Sequence, residues 1–445
     1  MVKIPIKTLC LVLCFAETSF LLAAQAIGSM VLILPCLVCY LALMVWAAIQ
    51  HMAMPVFLFF LPFAPLLKLI PDTISFFTLG LLAVYAICMV RGYKNVRITH
   101  MVPALLLFVL TLVVKVAYKY DISNAYLLFV LSLLLVPFLV TELDGRYDFY
   151  WVTVCFILGI VTAAFASLLL ADSPTVARYI RIVTEATTHR RSGFYNDPNF
   201  YSAHITAALS GVLVLMLNKI DKIQRVVLCA LTVLLLYCGL LSVSKSFMLI
   251  SVCLLLCWLV SFLFREGRIS AKILTIVTLL IVFLYILSSS VFTDLLDLML
   301  ARLSNNVTLS DFTTHRVDLW DSYINAFKAD PWLTWFGSGY SDVLVNDRAA
   351  HNTLLQSVFQ LGLIGSGCMI AWYVCFTRTM LSHSDARRPN FAQLAILGIG
   401  CFGPWMALDY LWFDEIFLIP VYLCIAIRFL NQSMVPAAAE QPSNE

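Results

Sequence analysis

Long apolar runs, broken by short polar clusters, repeat almost from end to end of the chain. A helix that crosses a bilayer needs ~20 mostly apolar residues. On that measure, spans are expected near 8–27, 29–50, 54–70, 73–90, 101–118, 123–141, 149–171, 200–217, 225–243, 246–264, 271–292, 352–377, 391–408 and 411–429. The total is twelve to fourteen, because Pro35, Pro55, Pro62 and Pro65 crowd the first four. The pattern predicts an all-α, polytopic transmembrane helical bundle. Two segments escape it, 171–199 and 293–351. Backbone at membrane depth must satisfy its own hydrogen bonds, so these two belong in water or at the interface. Within the second, Val317, Trp320, Ile324 and Phe327 recur at helical spacing between Thr314 and Ala329. That spacing predicts an amphipathic helix lying along the surface.

Composition closes off the alternatives. Of 445 residues, 62% are apolar and 12% charged, about half of the ~25% charge usual in soluble domains. The mean hydropathy is +0.95. A soluble fold would have to expose large apolar patches, and a disordered chain would be poor in apolar residues. The net charge of +3 gives no basis for a nucleic-acid partner. All fourteen cysteines lie in apolar runs, including the Cys36-x-x-Cys39 pair, and read as small buried hydrophobes. Lys3 and Lys7 precede the first apolar run, which reads as a retained span and not as a cleaved leader.

Charge position orients the chain. With a cytoplasmic N-terminus, the inner connections hold Arg91, Lys94, Arg97, Arg146, Lys219, Lys222, Arg225, Arg265, Arg268, Lys272, Arg378, Arg387 and Arg388. The short outer connections hold only Lys115, Lys119 and Lys245. Positive charge favours the cytoplasmic side, so both termini are expected inside and the two long segments outside.

Those outer segments carry the candidate chemistry. The first contains Arg178, Arg181, Arg190 and Arg191, on the side where the topology rule disfavours them, and runs into Asn196-Asp197-Pro198-Asn199. Asn-Asp-Pro signals a helix start, with Asp197 or Asn196 as cap. A helix N-terminus beside guanidinium groups suits an anion. The plainer readings are lipid headgroups or acidic partners for the arginines, and simple capping for Asn199. The second segment holds eight aspartates against Arg302, Arg316, Lys328 and Arg348, a net charge of −4. An arginine there is therefore a specific feature. Arg316 falls in the first turn of the expected helix, where a cation is poorly placed for the dipole. Trp332, Trp335, Phe336 and Tyr340 suit either sugar faces or an interfacial aromatic belt. His351 and Asn352 stand at the edge of the next span, where an imidazole can act as a base near neutral pH.

Three segments together resemble the O-antigen ligase and Wzy-type polymerase superfamily. They are Arg191-Ser-Gly-Phe-Tyr-Asn-Asp-Pro-Asn199; Arg316-x-x-x-Trp320 with Phe336-Gly-Ser-Gly-Tyr340; and His351-Asn-Thr-Leu-Leu-Gln356 with Gly362-Leu-Ile-Gly365. The resemblance covers about residues 150–375. It implies a multi-span glycosyltransferase of the GT-C type that moves a glycan from a polyprenyl diphosphate carrier to an acceptor at the outer face of a bacterial inner membrane. It implies no metal and no cofactor. Carried over, Arg191 and Arg316 hold the diphosphate and His351 activates or positions the acceptor hydroxyl. Arg190, Lys245, Asn199, Asn352, Trp320 and Tyr340 are the expected substrate-binding neighbours. Many relatives have Ser-Arg where this chain has Ser244-Lys245, and lysine keeps the charge but loses the bidentate fork.

On this reading, residues 1–150 are N-terminal spans, 151–375 the catalytic core, 376–430 C-terminal spans and 431–445 a disordered tail. The expected partners are the lipid-linked donor, a glycan acceptor, the bilayer and other polysaccharide assembly proteins. With no second carboxylate evident for a double displacement, transfer is expected to invert the anomeric centre. A polymerase fits the acidic second loop better than a ligase acting on anionic lipid A core. A lipid-linked oligosaccharide flippase is the distant alternative. It would place charges within the spans, where Glu17 and Lys68 are the main examples.

Overall fold

The computed structural model describes residues 5–69, 75–94, 96–141, 147–180, 183–185, 188–195, 197–218, 220–264, 316–383, 389–411 and 417–430, with scattered positions between 265 and 315. The expected span 271–292 and the tail 431–445 lie largely or wholly outside them. The chain is a polytopic helical bundle. Eight described helices are long and apolar enough to cross a membrane, and five shorter apolar helices accompany them.

The elements run in chain order: α1 Ile6–Ile27, α2 Met30–Ile49, α3 Ala53–Phe60, α4 Phe76–Gly92, α5 Ile98–Tyr118, α6 Asn124–Thr141, α7 Phe149–Leu169, β1 Val183–Glu185, β2 Thr188–Arg190, α8 Pro198–Met216, α9 Lys222–Leu241, α10 Lys245–Phe264, α11 Arg316–Ala329, α12 Pro331–Phe336, α13 Thr353–His383, α14 Phe391–Phe402 and α15 Leu418–Phe429. Each of the thirteen expected spans outside 271–292 overlaps one of these helices, several of them shorter than expected.

Several expected elements differ in form, two of them most clearly. The third span is a short α3 followed by a 3-10 turn, Leu61–Leu66. Pro62 and Pro65 remove the backbone donors that a continuing α-helix needs. Tyr195 OH donates to Leu61 O, the carbonyl Pro65 leaves without its helical donor, at 2.7 Å, and Gln25 Nε2 donates to Leu66 O at the end of the turn at 2.7 Å. The second difference is α13, expected as one continuous span but broken at Gly362, whose φ of 70° and ψ of 175° are not helical.

Polar contacts between elements tie both ends of the bundle, with others inside the spans, such as Thr153 with Tyr422 and Thr206 with Gly400 O. One end holds the Lys7–Asp148 ion pair at 2.8 Å, Arg91 on Ala48 O at 2.8 Å, and Asn218 joining Leu430 O to Gln393. The opposite end gathers the chain around 175, 195, 241, 340 and 408. There Thr175 Oγ1 donates to Ala26 O at 2.8 Å, Tyr195 OH to Leu61 O at 2.7 Å, and Thr353 Oγ1 to Leu408 O at 2.6 Å. Between them lies an apolar core in which α8 is the most enclosed of the eight long described helices, 89% buried. That central position fixes the start of α8 amid its neighbours.

Candidate functional site

The first loop contains a small antiparallel hairpin, β1 with β2, pairing Val183 with Arg190. The polar composition of 183–190 gave no alternating apolar signal by which to expect it. Arg190 and Arg191 leave this hairpin in different directions. Arg190 is 8% exposed. Its Nε donates to Ser242 O at 3.2 Å and its Nη2 to Asn199 Oδ1 at 3.3 Å. Asn199 Oδ1 also accepts from Ser244 Oγ at 2.7 Å. Arg190 and Asn199 therefore clamp the loop and the start of α8 to the turn that opens α10, with Lys245 as the first residue of that helix. Arg191 is anchored by its backbone, N–H to Leu241 O at 2.9 Å. Its Nη1 is buried yet has no hydrogen-bond partner among the described residues. A buried charged donor left unpaired is costly, and an anion is the natural complement.

Asp197, as expected, caps α8, accepting from Asn199 N at 2.7 Å, with Pro198 in the first turn. Arg178 of the same loop is exposed, beside the Tyr179 ring. Asn196 and Arg181 lie outside the described residues.

The second loop folds back over the bundle. α11 buries Leu319, Tyr323 and Phe327 towards Ala350 and Phe359. This apolar face is turned slightly from the expected stripe, and Ile324 stands 41% exposed. Arg316 opens the helix, and its Nη1 donates to Ala407 O at 2.7 Å. Trp320 Nε1 donates to Ala350 O at 2.9 Å, fixing the turn that presents His351. Asn352 is the cap of α13, its Oδ1 accepting from Leu354 N and Leu355 N at 3.0 and 3.1 Å. Gln356 Oε1 receives Ala350 N at 2.9 Å and Tyr323 OH at 3.2 Å. Held from three sides, His351 sits at a φ of 49°.

Tyr340 departs from expectation. It is 1% exposed, stacks on Phe129 at 4.4 Å, and donates its hydroxyl to Leu411 O. It is a core residue and presents no face to a sugar. Asn352 and Arg190 also carry structural duties, the Oδ1 of one in a helix cap and the Nε and Nη2 of the other in the loop clamp. Trp320 spends its one donor on Ala350. Among the described residues of this loop, Trp332 and Trp335 are exposed aromatics, at 59% and 54%.

Asp197 of the first loop lies within electrostatic reach of Arg316 and His351 of the second. Burial pushes the Arg316 pKa down and Asp197 pushes it back up. His351 is exposed to solvent, yet the protein packed about its ring holds its pKa below the ordinary histidine value. Arg316 and Arg348 act in the same direction and Asp197 opposes them. The neutral ring is thus favoured. The segment 407–411 closes the site: Tyr410 packs edge-on against Phe200 at 5.4 Å, and its N–H donates to Thr353 Oγ1 at 3.2 Å. Asp409 is 4% exposed and within electrostatic reach of Tyr323, whose hydroxyl pKa burial pushes up to about 12.

Sequence reasoning passed over Asp409, Tyr410 and Arg348 as site neighbours. Asp409 carried the one available signal, an acid at the border of two apolar runs. Among the described residues, no three His, Cys, Asp or Glu side chains converge as a metal site.

Residues 230–370 match the family described as O-antigen ligase. No curated protein matches the chain. The matched stretch contains Lys245, Arg316, Trp320, Tyr340, His351 and Asn352, and supports the resemblance to the O-antigen ligase and Wzy superfamily. It supports membrane glycosyltransferase activity of that ligase and polymerase kind.

Proposed function

We propose that this protein transfers an oligosaccharide from a polyprenyl diphosphate carrier to an acceptor glycan at the outer face of a bacterial inner membrane, as a polymerase of surface polysaccharide repeat units. The observation that carries the reading is the buried Nη1 of Arg191, which has no hydrogen-bond partner among the described residues and whose backbone is held against Leu241 O at the end of α9. In this reading Arg191 and Arg316 neutralise the charge that grows on the departing diphosphate. Cations in a partly dry site do this well, because they need no reorganisation as charge develops. His351 in its neutral form accepts the proton of the attacking sugar hydroxyl. Attack at the anomeric carbon forms the new glycosidic bond as the carbon–oxygen bond to the diphosphate breaks, in one inverting displacement. Lys245, beside the Asn199–Ser244 contact, adds a third positive charge on the donor side.

The assay is transfer from a purified polyprenyl-diphosphate glycan by the full chain in detergent or vesicles. Arg191→Ala and His351→Ala should both abolish transfer in protein that still inserts. Wild-type rates in both would overturn the site. The match to the O-antigen ligase description favours a second reading, transfer to a different acceptor such as lipid A core or protein. Lipid-linked repeat unit supplied alone separates the two: chain growth means polymerase, and growth only with a second acceptor means ligase.

A further inference from the structure

Two exposed apolar stripes lead up to the second loop, and both end in aromatic rings. On α13 the stripe is Leu363, Ile364, Ile370 and Val374, and it begins at the residue after the break at Gly362. On α5 it is Val102, Leu106, Val109, Val113 and Val116, and it ends at Tyr118, whose ring stacks on Tyr120 at 5.5 Å. Apolar surface exposed over several turns of a span belongs against acyl chains. The backbone after α12 sits where both stripes stop. A Cβ on Gly362 would run into Trp335 O, and one on Gly339 would stand 3.0 Å from Lys115 N in the last turn of α5. α12 is therefore wedged at the level where the lipid-facing surface gives out. Its inward residues are Leu333, packed on the cluster of Tyr323, Ala350 and Phe359, and Thr334, whose Oγ1 donates to Phe327 O at 3.0 Å. Its outward residues are Trp332 and Trp335, with the half-buried Phe336 ring 4.3 Å from that of Trp332. None of these three carries a carboxylate, an amide or a hydroxyl. A sugar platform needs polar groups that fix hydroxyls, whereas the headgroup boundary of a bilayer selects amphipathic rings.

We propose that α12 is an interfacial anchor, with Trp332 and Trp335 seated among the lipid headgroups at the end of the bundle where the loops gather, and that it sets the height of the second loop over the acyl chains. The occupant of this face is lipid, because the face continues the lipid-facing stripes of α5 and α13 without interruption. The height is passed inward. Leu333 packs on Tyr323, the Tyr323 hydroxyl donates to Arg348 O at 2.7 Å, and Ala350 of the same cluster precedes His351. The turn that carries His351 is thereby held close above the headgroups. The anchor stands without the proposed transfer; only its consequence rests on that reading, since a lipid-linked diphosphate would present itself at this level.

Tryptophan emission tests this. The chain has nine tryptophans, so the signal of these two is the emission lost in the double variant Trp332→Phe/Trp335→Phe, which keeps an apolar ring at both positions. The full chain is placed in nanodiscs of phosphatidylcholine and phosphatidylglycerol, whose two faces are open to a soluble quencher. Lipids brominated next to the headgroup should remove most of the difference emission. Lipids brominated near the methyl ends of the acyl chains, and iodide in the bulk, should each remove less. Quenching by iodide with none by the shallow bromine overturns the proposal and leaves α12 a platform facing water. Quenching by the deep bromine alone, or by none of the three, overturns it as well. Where the double variant fails to insert, Trp332→Phe and Trp335→Phe are read singly by the same comparison. No turnover enters the readout, so shallow quenching in a protein that fails to transfer glycan upholds the anchor while removing the proposed function.

Discussion

At the scale of single residues, two adjacent arginines do different work. Arg190 satisfies Ser242 O and Asn199 inside the protein, whereas Arg191 keeps a buried donor unpaired. Arg190→Ala strands those acceptors, which costs about 1–3 kcal/mol for a buried group. Thermal unfolding in detergent should show the loss. Arg191→Ala should leave the unfolding temperature nearly unchanged and lower transfer by about 100-fold or more, the scale seen when one charge-stabilising donor is removed. Equal effects of both variants on stability would contradict the division of labour. The pH dependence follows from His351. Its pKa lies below the usual histidine value because of burial and then Arg316, partly offset by Asp197. A base must be neutral, so activity should persist on acidification through ~6.5, the ordinary histidine value, and fall only at lower pH. Arg316→Gln removes one of the forces depressing that pKa, so the acid limb should rise towards the ordinary value in whatever activity remains.

At the scale of elements, the joint between α12 and α13 governs how the second loop sits. A Cβ placed on Gly337, at a φ of 71°, would stand 2.4 Å from Gly362 N; one placed on Gly362 would stand 2.3 Å from Trp335 O. The two backbones interlock. Ser338 N and Tyr340 N take the carbonyls of Phe359 and Gln360, which a continuous helix would have kept for itself. Gly362→Ala therefore meets both a left-handed backbone, worth about 1–2 kcal/mol, and a backbone clash. It should lower the unfolding temperature and transfer together, while Gly367→Ala, which has nothing within 4 Å, should do neither. The break shows how far the sequence could be read. Apolar length marked α13 as a span, and Asp197-Pro198 announced α8, because both signals are local. The halt at Gly362 was not local: it depends on Trp335 O and the 338–340 backbone, which lie elsewhere in the chain. For the same reason Tyr340 looked like a sugar platform in the sequence and proved to be packed on Phe129. Asp409 passed unnoticed because its neighbour Tyr323 is far away along the chain.

At the scale of the whole molecule, two of the charges at the spans, Glu17 and Lys115, are met by the protein itself. Glu17 accepts from Cys36 Sγ at 3.2 Å, and Lys115 donates to Asp121 O at 2.8 Å while lying 4.8 Å from the Tyr126 ring. Neither lines an evident path for a transported solute, which leaves the chemistry at the end where the loops meet. That end is the one expected outside, and the expectation rests on the placement of Lys and Arg. It can be tested without any substrate. Asp321, exposed on α11, and Asp221, exposed at the start of α9, lie at opposite ends of the bundle on the predicted topology. Each is replaced by cysteine, and intact spheroplasts are treated with a membrane-impermeant maleimide, with the wild-type chain measuring any background from its native thiols. Asp321→Cys should label at once and Asp221→Cys only after permeabilisation. The reverse result would put Arg191 and His351 on the cytoplasmic side, and with them any acceptor. A glycan finished outside the membrane could not then be the substrate, so the labelling decides which pool of lipid-linked sugar this site is able to meet.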